Sequence, residues 1–384
     1  MLSKLAASRK FPNRPAPPSS SPPTRPRHIV VEDLLPVLRA QWFNILWMVA
    51  RESSKSALPQ PDAFGAGVSR SDGRRRASHA AIDRWTRREL SRAPPKAKSL
   101  VVTVWGDAIA PHGGAVWLSG LIRLLSPLGL NERLVRTSVY RLAREGWLES
   151  QQDGRRSLYR LTPLGLTRFE HAYRRIYAPP PAAWDGTWDI VLAPSAALAA
   201  KTRSELRQEL LWEGFGALGP GVFVRPAAAT ATPALADILE ELKLQQRVVV
   251  LSARDAPHLG ASLQAFRGGC WNLAEIAAEY RRFLARFEAV IPHFRRDGGV
   301  DPERCFVVRS LLIHAFRRVT LHDPQLPAAL LPQRWPAGSA YALCRDFYRL
   351  TQRSAEQHLL STLETRGGTL PPAAAYFYAR FGGL

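Results

Sequence analysis

The stretch "LNERLVRTSVYRLAREGWLESQQDGRRSLYRLT" occupies residues 130–162 and is the most informative segment for the fold of the first domain. Asn131 is a favourable helix N-cap, and Gly146 is favourable just after a helix end. Asp153 and Gly154 separate two short runs with strand character, which is a strong β-hairpin signal. Four apolar residues at helical spacing predict the buried face of the helix: Leu134, Val135, Val139 and Leu142. The stretch therefore predicts a helix followed by a hairpin.

Two apolar segments precede this helix. "KSLVVTVWGDAIAP" (98–111) is followed by a glycine-rich turn that contains His112, which we interpret as a turn residue with an ordinary hydrogen bond. "AVWLSGLIRLLSPLG" (115–129) has a wide apolar stripe at helical spacing and ends in a short turn with a proline and a glycine. Three helices followed by a hairpin predict a winged helix-turn-helix domain over 99–175.

The outward face of the third helix is almost entirely cationic. Only Glu132 and Glu145 carry negative charge, at its two ends, whereas an ordinary solvent-facing helix has mixed signs. Arginine and small polar side chains suit phosphate groups and the edges of guanine. The candidate DNA-binding residues, including two at the hairpin tip, are Arg133, Arg136, Thr137, Ser138, Tyr140, Arg141, Arg144, Arg155 and Arg156.

Composition agrees with a polyanionic partner. The 384 residues carry a formal net charge of +21, which favours nucleic acid first and an acidic membrane surface second. The three cysteines are widely spaced, which argues against a zinc site or a disulfide framework. No apolar run approaches the length of a membrane span, and we expect a cytoplasmic, nucleoid-associated protein without membrane partners.

Residues 1–98 hold more than half of the excess positive charge and many Pro, Ser and Arg residues. We expect them to be a mostly disordered basic extension, with a short helix within 29–50 and order beginning at about Ser99. Two interpretations stay open. The extension is either a basic arm that adds nonspecific DNA affinity or an over-long start of the reading frame.

The central region, 184–256, predicts the order strand, helix, strand, strand, helix, strand. "TWDIVLA" (187–193) is the first strand, a helix ends near Trp212, and "QRVVVLSA" (246–253) is a buried last strand. The second helix starts with Thr232 as N-cap and Pro233 at its first position. This order predicts a split βαβ unit, the ferredoxin-like arrangement.

Within this region, Gly214, Gly216 and Gly219 form the spacing G-x-G-x-x-G, which is typical of dinucleotide-binding folds. That function requires a strand before the first glycine and a helix after the third. The sequence predicts the reverse, a helix before and a hairpin after, so we interpret the glycines as structural. A role in lining a pocket for a nucleotide-containing ligand stays open.

The last region, 265–384, is helical. Asp301 and Pro302 begin a long helix on which His314, Arg317 and Arg318 share one face. These residues are candidates for binding an effector, with Trp271 and Trp335 as the principal aromatic partners. Other nearby aromatic residues are Phe316, Tyr341 and Phe347. The alternatives are that His314 is a core residue, that the arginines form a solvated or ion-paired face, or that the face lies at an interface.

The sequence resembles the repressors of phenylacetic-acid degradation operons, the PaaX type. The likeness rests on "GDAIAPHGGAVWLSGLIRLLSPLGLNERLVRTSVYRLAREGWL", "GRRSLYRLT", "AWDGTW", "LLWEGFGALGPG", "ERCF", "LLIHAFRRVTLHDPQLPAALLP" and "YFYARFGGL", in that order. It implies an α+β protein with an N-terminal winged helix, a central Cas2-like domain and a helical C-terminal domain. It also implies a recognition helix at 131–145 and a wing at 147–162.

The resemblance further implies a homodimer that represses an aromatic-catabolism promoter by binding double-stranded operator DNA. The implied effector is a CoA thioester such as phenylacetyl-CoA, which releases the operator, and no cofactor is implied. A weaker alternative is a winged-helix regulator of another operon. An enzyme that processes CoA esters, or a metal-dependent nuclease, is the rival from another class. Because Asp189 lies near the start of its strand, away from where a metal would be needed, we expect no catalysis.

Overall fold

The computed structural model describes residues 67–179, 184–194, 198–227, 233–255, 265, 267–295 and 300–384. The basic segment before residue 67, the short helix predicted within 29–50 and the proposed N-cap Thr232 lie outside the described residues.

Part of the segment that the sequence predicts to be disordered is a helix, α1 (Gly67–Arg92). Ile82 is only 1% exposed and belongs to the main core, and the Trp85 indole donates to the carbonyl of Arg286 across 3.1 Å. Asp83 forms a two-bond ion pair with Arg304, with both distances 2.8 Å. The prediction of disorder is therefore wrong for α1. Its stabilising contacts come from residues about 200 positions away in the chain, and local composition carries no information about such contacts.

The next segment has the predicted order of three helices and a hairpin. Its elements are α2 (Ala97–Val104), a π-helical turn (Trp105–Ile109), a 3₁₀ turn (Ala110–His112), β1 (Ala115–Trp117), α3 (Leu118–Leu125), a second 3₁₀ turn (Ser126–Leu128), α4 (Glu132–Arg144), β2 (Leu148–Asp153), β3 (Arg156–Leu161) and α5 (Pro163–Tyr177). The three strands form an antiparallel sheet with β3 in the middle. Asp153 pairs with Arg156 at the hairpin end, and Gly154 adopts a φ of 57°, which suits the predicted tight turn.

The central segment has the predicted ferredoxin-like order. Its elements are β4 (Thr187–Leu192), α6 (Ala200–Trp212), β5 (Gly216–Gly219), β6 (Val222–Pro226), α7 (Pro233–Glu241) and β7 (Val249–Arg254). The sheet order is β5-β6-β4-β7, with all neighbours antiparallel. The prediction that β7 is buried is wrong, since Val249, Val250 and Leu251 are 50%, 43% and 44% exposed. The reason is its position at the sheet edge, where one side of the strand has no neighbour.

The glycine-rich stretch joins a helix to a hairpin, as predicted. Gly214 follows α6 with a φ of 86°, a backbone conformation that favours glycine. A Cβ atom on Gly221 would lie 2.2 Å from the carbonyl oxygen of Ala193. A Cβ atom on Gly216 would lie 2.7 Å from the ring of Trp271. The glycines therefore allow tight turns and close packing.

The last segment is helical with one small hairpin. Its elements are α8 (Arg267–Cys270), α9 (Leu273–Glu288), α10 (Pro292–Arg295), α11 (Pro302–Thr320), a 3₁₀ turn (Ala328–Leu330), α12 (Ala337–Thr362), β8 (Glu364–Thr365), β9 (Gly368–Thr369), α13 (Ala375–Tyr378) and a final 3₁₀ turn (Arg380–Gly382). The Asp301 carboxylate accepts from the backbone N–H of Arg304 across 3.1 Å, which confirms the predicted N-cap of α11.

The hydrophobic core does not follow the predicted domain boundaries. One continuous cluster runs from Ile82 through the winged-helix segment to Phe381, so 99–175 and 265–384 share a core. The central segment has its own cluster around Val191 and Phe223. A small third cluster joins Trp188 to Trp271 and connects the central sheet to the helical segment.

Candidate nucleic-acid interface and effector cavities

The outer face of α4 is a basic surface. Arg133, Arg136, Thr137, Arg141 and Arg144 are all exposed. Tyr140, on the same face, is 60% exposed. The carboxamide of Asn131 accepts from the backbone N–H of Leu134 across 2.9 Å and thereby fixes the start of the helix. One local ion pair crosses this face, from the Arg136 Nε to the Glu132 carboxylate at 2.7 Å.

Two side chains of α4 lie elsewhere than the sequence predicts. Ser138 is 4% exposed, and its hydroxyl donates to the carbonyl of Leu134 across 2.7 Å. It faces the core with Val135 and Val139 and is not part of the basic surface. Leu134, predicted to be buried, is 42% exposed because it lies in the first turn, at the edge of the face that packs on the core.

The hairpin carries the second part of the basic surface. Arg155 is exposed at the turn. The guanidinium carbon of Arg156 lies 4.1 Å from the centre of the Trp117 ring, and its Nη2 lies 3.6 Å from the Glu364 carboxylate. The ring and the carboxylate orient Arg156 without burying it, so the exposed hairpin presents two arginines beside α4.

The candidate effector residue His314 is joined to the first helix of the winged-helix segment. Its Nδ1 lies 2.8 Å from the Thr103 hydroxyl, and Arg317 Nη1 donates to the same hydroxyl across 2.7 Å. Arg317 Nη1 also donates to the carbonyl of Ser99 across 3.1 Å. Burial, helped by the charges of Arg317 and Arg318, lowers the pKa of His314 to about 3. His314 is therefore a neutral side chain that connects α11 to α2.

Two cavities flank this junction. The first, which we call the α1 cavity, has a volume of about 910 Å³ and lies between α1, α9 and α11. The second, which we call the junction cavity, has a volume of about 980 Å³ and is lined from α2, α5, α6, α7 and α11. Both volumes suit a ligand of cofactor size.

The predicted effector residues do not form one site. His314 and Arg318 line the α1 cavity, whereas Arg317 and Trp271 line the junction cavity. Trp335 lines neither of these two and packs against Tyr280 with ring centres 6.3 Å apart. Residues that share a helix face are separated here because the face is divided by its contact with α2.

Several candidate aromatic residues are core residues. Phe316 and Phe347 are 2% and 1% exposed within the main cluster. The Trp271 indole donates to the carbonyl of Gly214 across 3.2 Å, which links it to the glycine-rich stretch. Tyr341 donates to the carbonyl of Tyr177 across 3.3 Å. These side chains therefore have packing roles.

The two cavities differ in charge. The charged lining of the α1 cavity consists of five arginines, Arg88, Arg92, Arg282, Arg286 and Arg318, and three glutamates, Glu89, Glu275 and Glu279. The charged lining of the junction cavity consists of two arginines, Arg168 and Arg317, and five carboxylates, Asp107, Glu209, Glu213, Asp237 and Glu241. An anionic ligand is therefore favoured in the α1 cavity and disfavoured in the junction cavity.

A buried ionic network, which sequence reasoning missed, holds the winged-helix segment to the C-terminal helices. Asp107 lies in the π-helical turn and accepts from Tyr177 at 2.5 Å and from Tyr348 at 3.1 Å. Arg380 Nη1 donates to the Asp107 backbone carbonyl across 2.8 Å, and Arg309 Nε lies 3.6 Å from the Asp107 carboxylate. Both arginines are 0% exposed. An acidic residue inside an apolar run was the only sequence signal for this network.

His112 belongs to the same network. Its Nε2 lies 2.8 Å from the Glu356 carboxylate, and its Nδ1 lies 2.6 Å from the carbonyl of Pro371. Arg309 Nη1 donates to the other oxygen of Glu356 across 3.0 Å. As predicted, His112 is a turn residue with ordinary hydrogen bonds, at the end of the 3₁₀ turn Ala110–His112. It is also buried, which the sequence does not indicate.

The central sheet gives no support for a nuclease site at Asp189. Its carboxylate lies 3.2 Å from the Arg225 guanidinium on the neighbouring strand. Among the described residues, no group of three or more His, Cys, Asp or Glu side chains is placed to hold a metal ion. Nor does the described part of the chain contain a helix with the length and apolarity needed to cross a bilayer.

Comparisons with known proteins cover most of the chain. Three family models match: "PaaX-like protein" over 96–165, "PaaX protein central Cas2-like domain" over 181–264 and "PaaX-like protein C-terminal domain" over 271–361. The chain is 35% identical over 305 residues to the transcriptional repressor PaaX of Escherichia coli (strain K12), covering 79% of this chain and 95% of the relative. A solved structure of an uncharacterized protein from Mycobacterium tuberculosis is 27% identical, with 69% of this chain and 98% of that chain covered and a TM-score of 0.45.

Proposed function

The chain belongs to the PaaX-like family, and from this premise we propose that it is a DNA-binding transcriptional repressor of a phenylacetate catabolic operon. The relative is named as a transcriptional repressor, so the proposal includes no catalytic activity. A repressor acts where the chromosome lies, and we accordingly place this one in the cytoplasm, at the nucleoid.

The observation that carries the proposal is the basic surface formed by α4 and the hairpin. Helix α4 exposes Arg133, Arg141 and Arg144 on one face, and Arg155 and Arg156 lie at the hairpin end. A helix of this kind fits the major groove, where arginine binds guanine in two-bond geometry. Arginines on the hairpin are suited to the phosphate backbone beside the groove.

The finer parts of the proposal concern symmetry and release. The protein acts as a homodimer on a palindromic operator, since two copies of α4 then contact two half-sites. A CoA thioester such as phenylacetyl-CoA is the effector, and it favours a protein geometry that no longer fits both half-sites. The contacts of His314 and Arg317 with Thr103 support this part, because they join the candidate effector helix to the winged-helix segment.

Operator binding by arginine variants tests the proposal. Arg133→Ala and Arg141→Ala are each expected to weaken specific binding by about 1–3 kcal/mol, measured by fluorescence anisotropy at fixed salt. Arg207→Ala on α6 removes the same charge from an exposed site outside this surface and serves as the matched control. Affinities of both α4 variants within twofold of the control would rule out α4 as the recognition helix.

A further inference from the structure

Helix α1 forms a cavity wall from residues that none of the three family models matches. The helix ends at Arg92, whereas the first family match begins at residue 96. Asp83 and Trp85 fix α1 against α11 and α9, and Glu89 forms an ion pair with Arg286 of α9. The α1 cavity therefore depends on a helix that lies outside the regions matched by the three family models.

The rim of this cavity carries arginines without carboxylate partners. Arg88 and Arg92 come from α1 and Arg318 comes from α11, and all three are exposed. Within the described residues, none of the three has an ion pair, whereas Arg286 is paired with Glu89. Three unpaired guanidinium groups beside one cavity are suited to the oxygens of phosphate groups.

The wall behind these arginines is apolar. It combines side chains of α1, α9 and α11, namely Trp85, Leu90, Ile276, Phe283, Leu311 and Val319. The neutral ring of His314 lines the cavity together with these apolar side chains. A ligand that fills the cavity therefore needs an anionic part at the rim and an apolar part against the wall.

We propose that the α1 cavity binds a phosphate-bearing ligand with an apolar body, and that this ligand is the CoA thioester of the proposed function. The identification of the ligand rests on that function, whereas the phosphate and apolar requirements come from the cavity lining. The junction cavity is the weaker candidate, because its carboxylates outnumber its arginines and oppose a polyanion.

The cavity is one hydrogen bond away from the winged-helix segment. His314 lines the cavity and meets Thr103 of α2 at 2.8 Å, and α2 packs directly against α4. A ligand that displaces His314 breaks a bond to the helix that supports the basic surface. Binding at the α1 cavity thus has a direct physical route to operator release.

Calorimetric titration of the full chain without DNA tests the site. Phenylacetyl-CoA is expected to bind more tightly than coenzyme A, which lacks the apolar acyl group, and more tightly than phenylacetate, which lacks phosphates. Arg92→Ala and Arg318→Ala should each weaken phenylacetyl-CoA binding by about tenfold, since each removes a charged donor to phosphate. Arg207→Ala should leave the affinity within twofold, as a matched loss of one exposed arginine.

Two results would overturn the inference. One is that the wild-type protein shows no binding of phenylacetyl-CoA at a ligand concentration of about 1 mM, which would mean a Kd weaker than about 1 mM. The other is phenylacetyl-CoA binding that Arg92→Ala and Arg318→Ala both leave within twofold of the wild type. Weaker binding by Trp212→Ala, at the lining of the junction cavity, would then assign the ligand to that cavity. Thermal unfolding of each variant checks that the fold is retained.

Operator binding measured separately on the ligand-free protein distinguishes the two proposals. If the protein binds operator but the α1 cavity variants bind phenylacetyl-CoA normally, the cavity assignment fails and the repressor function stands. If the variants lose the ligand but the wild type shows no specific operator binding, the site stands and the repressor function fails.

Discussion

The guanidinium Nη1 of Arg317 donates a hydrogen bond to the Thr103 hydroxyl across 2.7 Å, and this bond joins the C-terminal helix α11 to the winged-helix segment. The same nitrogen donates to the carbonyl of Ser99 at 3.1 Å. Within the described part of the chain, Arg317 has no carboxylate partner, so neutral oxygens stabilise its charge. Burial accordingly lowers the pKa of Arg317.

Thr103→Val is expected to destabilise the protein by about 1–3 kcal/mol. Valine has the shape of threonine without the hydroxyl, so the His314 ring and the Arg317 guanidinium both lose a buried partner. Urea unfolding measures the change. Thr167→Val is the matched control. Thr167 is an exposed helix residue, and its hydroxyl donates to the carbonyl of Pro163 in the same helix. Equal losses in the two variants would contradict the role of the Thr103 bond.

The stability of the protein should fall on acidification between pH 6.5 and 3, in part because of His314. Its pKa is about 3 in the folded protein and about 6.5 in the unfolded chain. In this pH range the His314 ring therefore takes up a proton only in the unfolded chain. The contribution of His314 to stability is fully present above about pH 6.5. Proton linkage predicts that protonation of His314 in the unfolded chain lowers the free energy of unfolding by about 2 kcal/mol at pH 5.

His314→Asn tests this contribution, since asparagine retains a polar group near Nδ1 but does not titrate. Urea unfolding of both proteins at pH 7 and pH 5 gives the comparison. The variant should lose less stability than the wild type over this interval. Equal losses would show that His314 titrates normally in the folded protein.

Asp107→Asn should destabilise the protein by about 3–5 kcal/mol. The substitution removes the carboxylate that compensates the fully buried Arg380, whereas Arg309, also fully buried, keeps its ion pair with Glu356. Thermal unfolding is the measurement. Asp346→Asn removes an exposed carboxylate paired with Arg345 and should change stability by less than about 1 kcal/mol. A small effect at Asp107 would mean that the network does not hold the two segments together.

Ile82→Ala tests whether α1 is part of the folded unit. Removal of a buried isoleucine from a core should cost about 2–5 kcal/mol, measured by denaturant unfolding. Arg84→Ala, at an exposed site on the same helix, should cost less than about 0.5 kcal/mol. If both substitutions are neutral, α1 contributes nothing to stability and the α1 cavity lacks a fixed wall.

The sequence was most informative where local chemistry decides the structure. The Asn131 and Asp301 caps, the turn at Gly154 and the hairpin after Gly216 formed as predicted. Each depends on hydrogen bonds or backbone conformations within a few residues. The exposed arginines of α4 were predicted for the same reason, because helical periodicity alone separates an outer from an inner face.

The misses depended on partners far apart in the chain. Composition predicted disorder for α1, yet Ile82 is buried by residues of the distant C-terminal helices. The strand pattern predicted that β7 is buried, but its place at the sheet edge is a property of sheet order. Helical spacing correctly predicts that His314 and Arg317 share a helix face, but α2 divides that face between two cavities.

The amino-acid sequence is therefore enough to establish the order of helices and strands, the basic surface and the family likeness. Three features become visible only in the folded protein: α1 closes a cavity, Asp107 compensates two buried arginines, and His314 contacts Thr103. The physical reason is that caps, turns and periodicity act over a few residues. Burial and charge compensation instead require residues that meet only when the chain has folded.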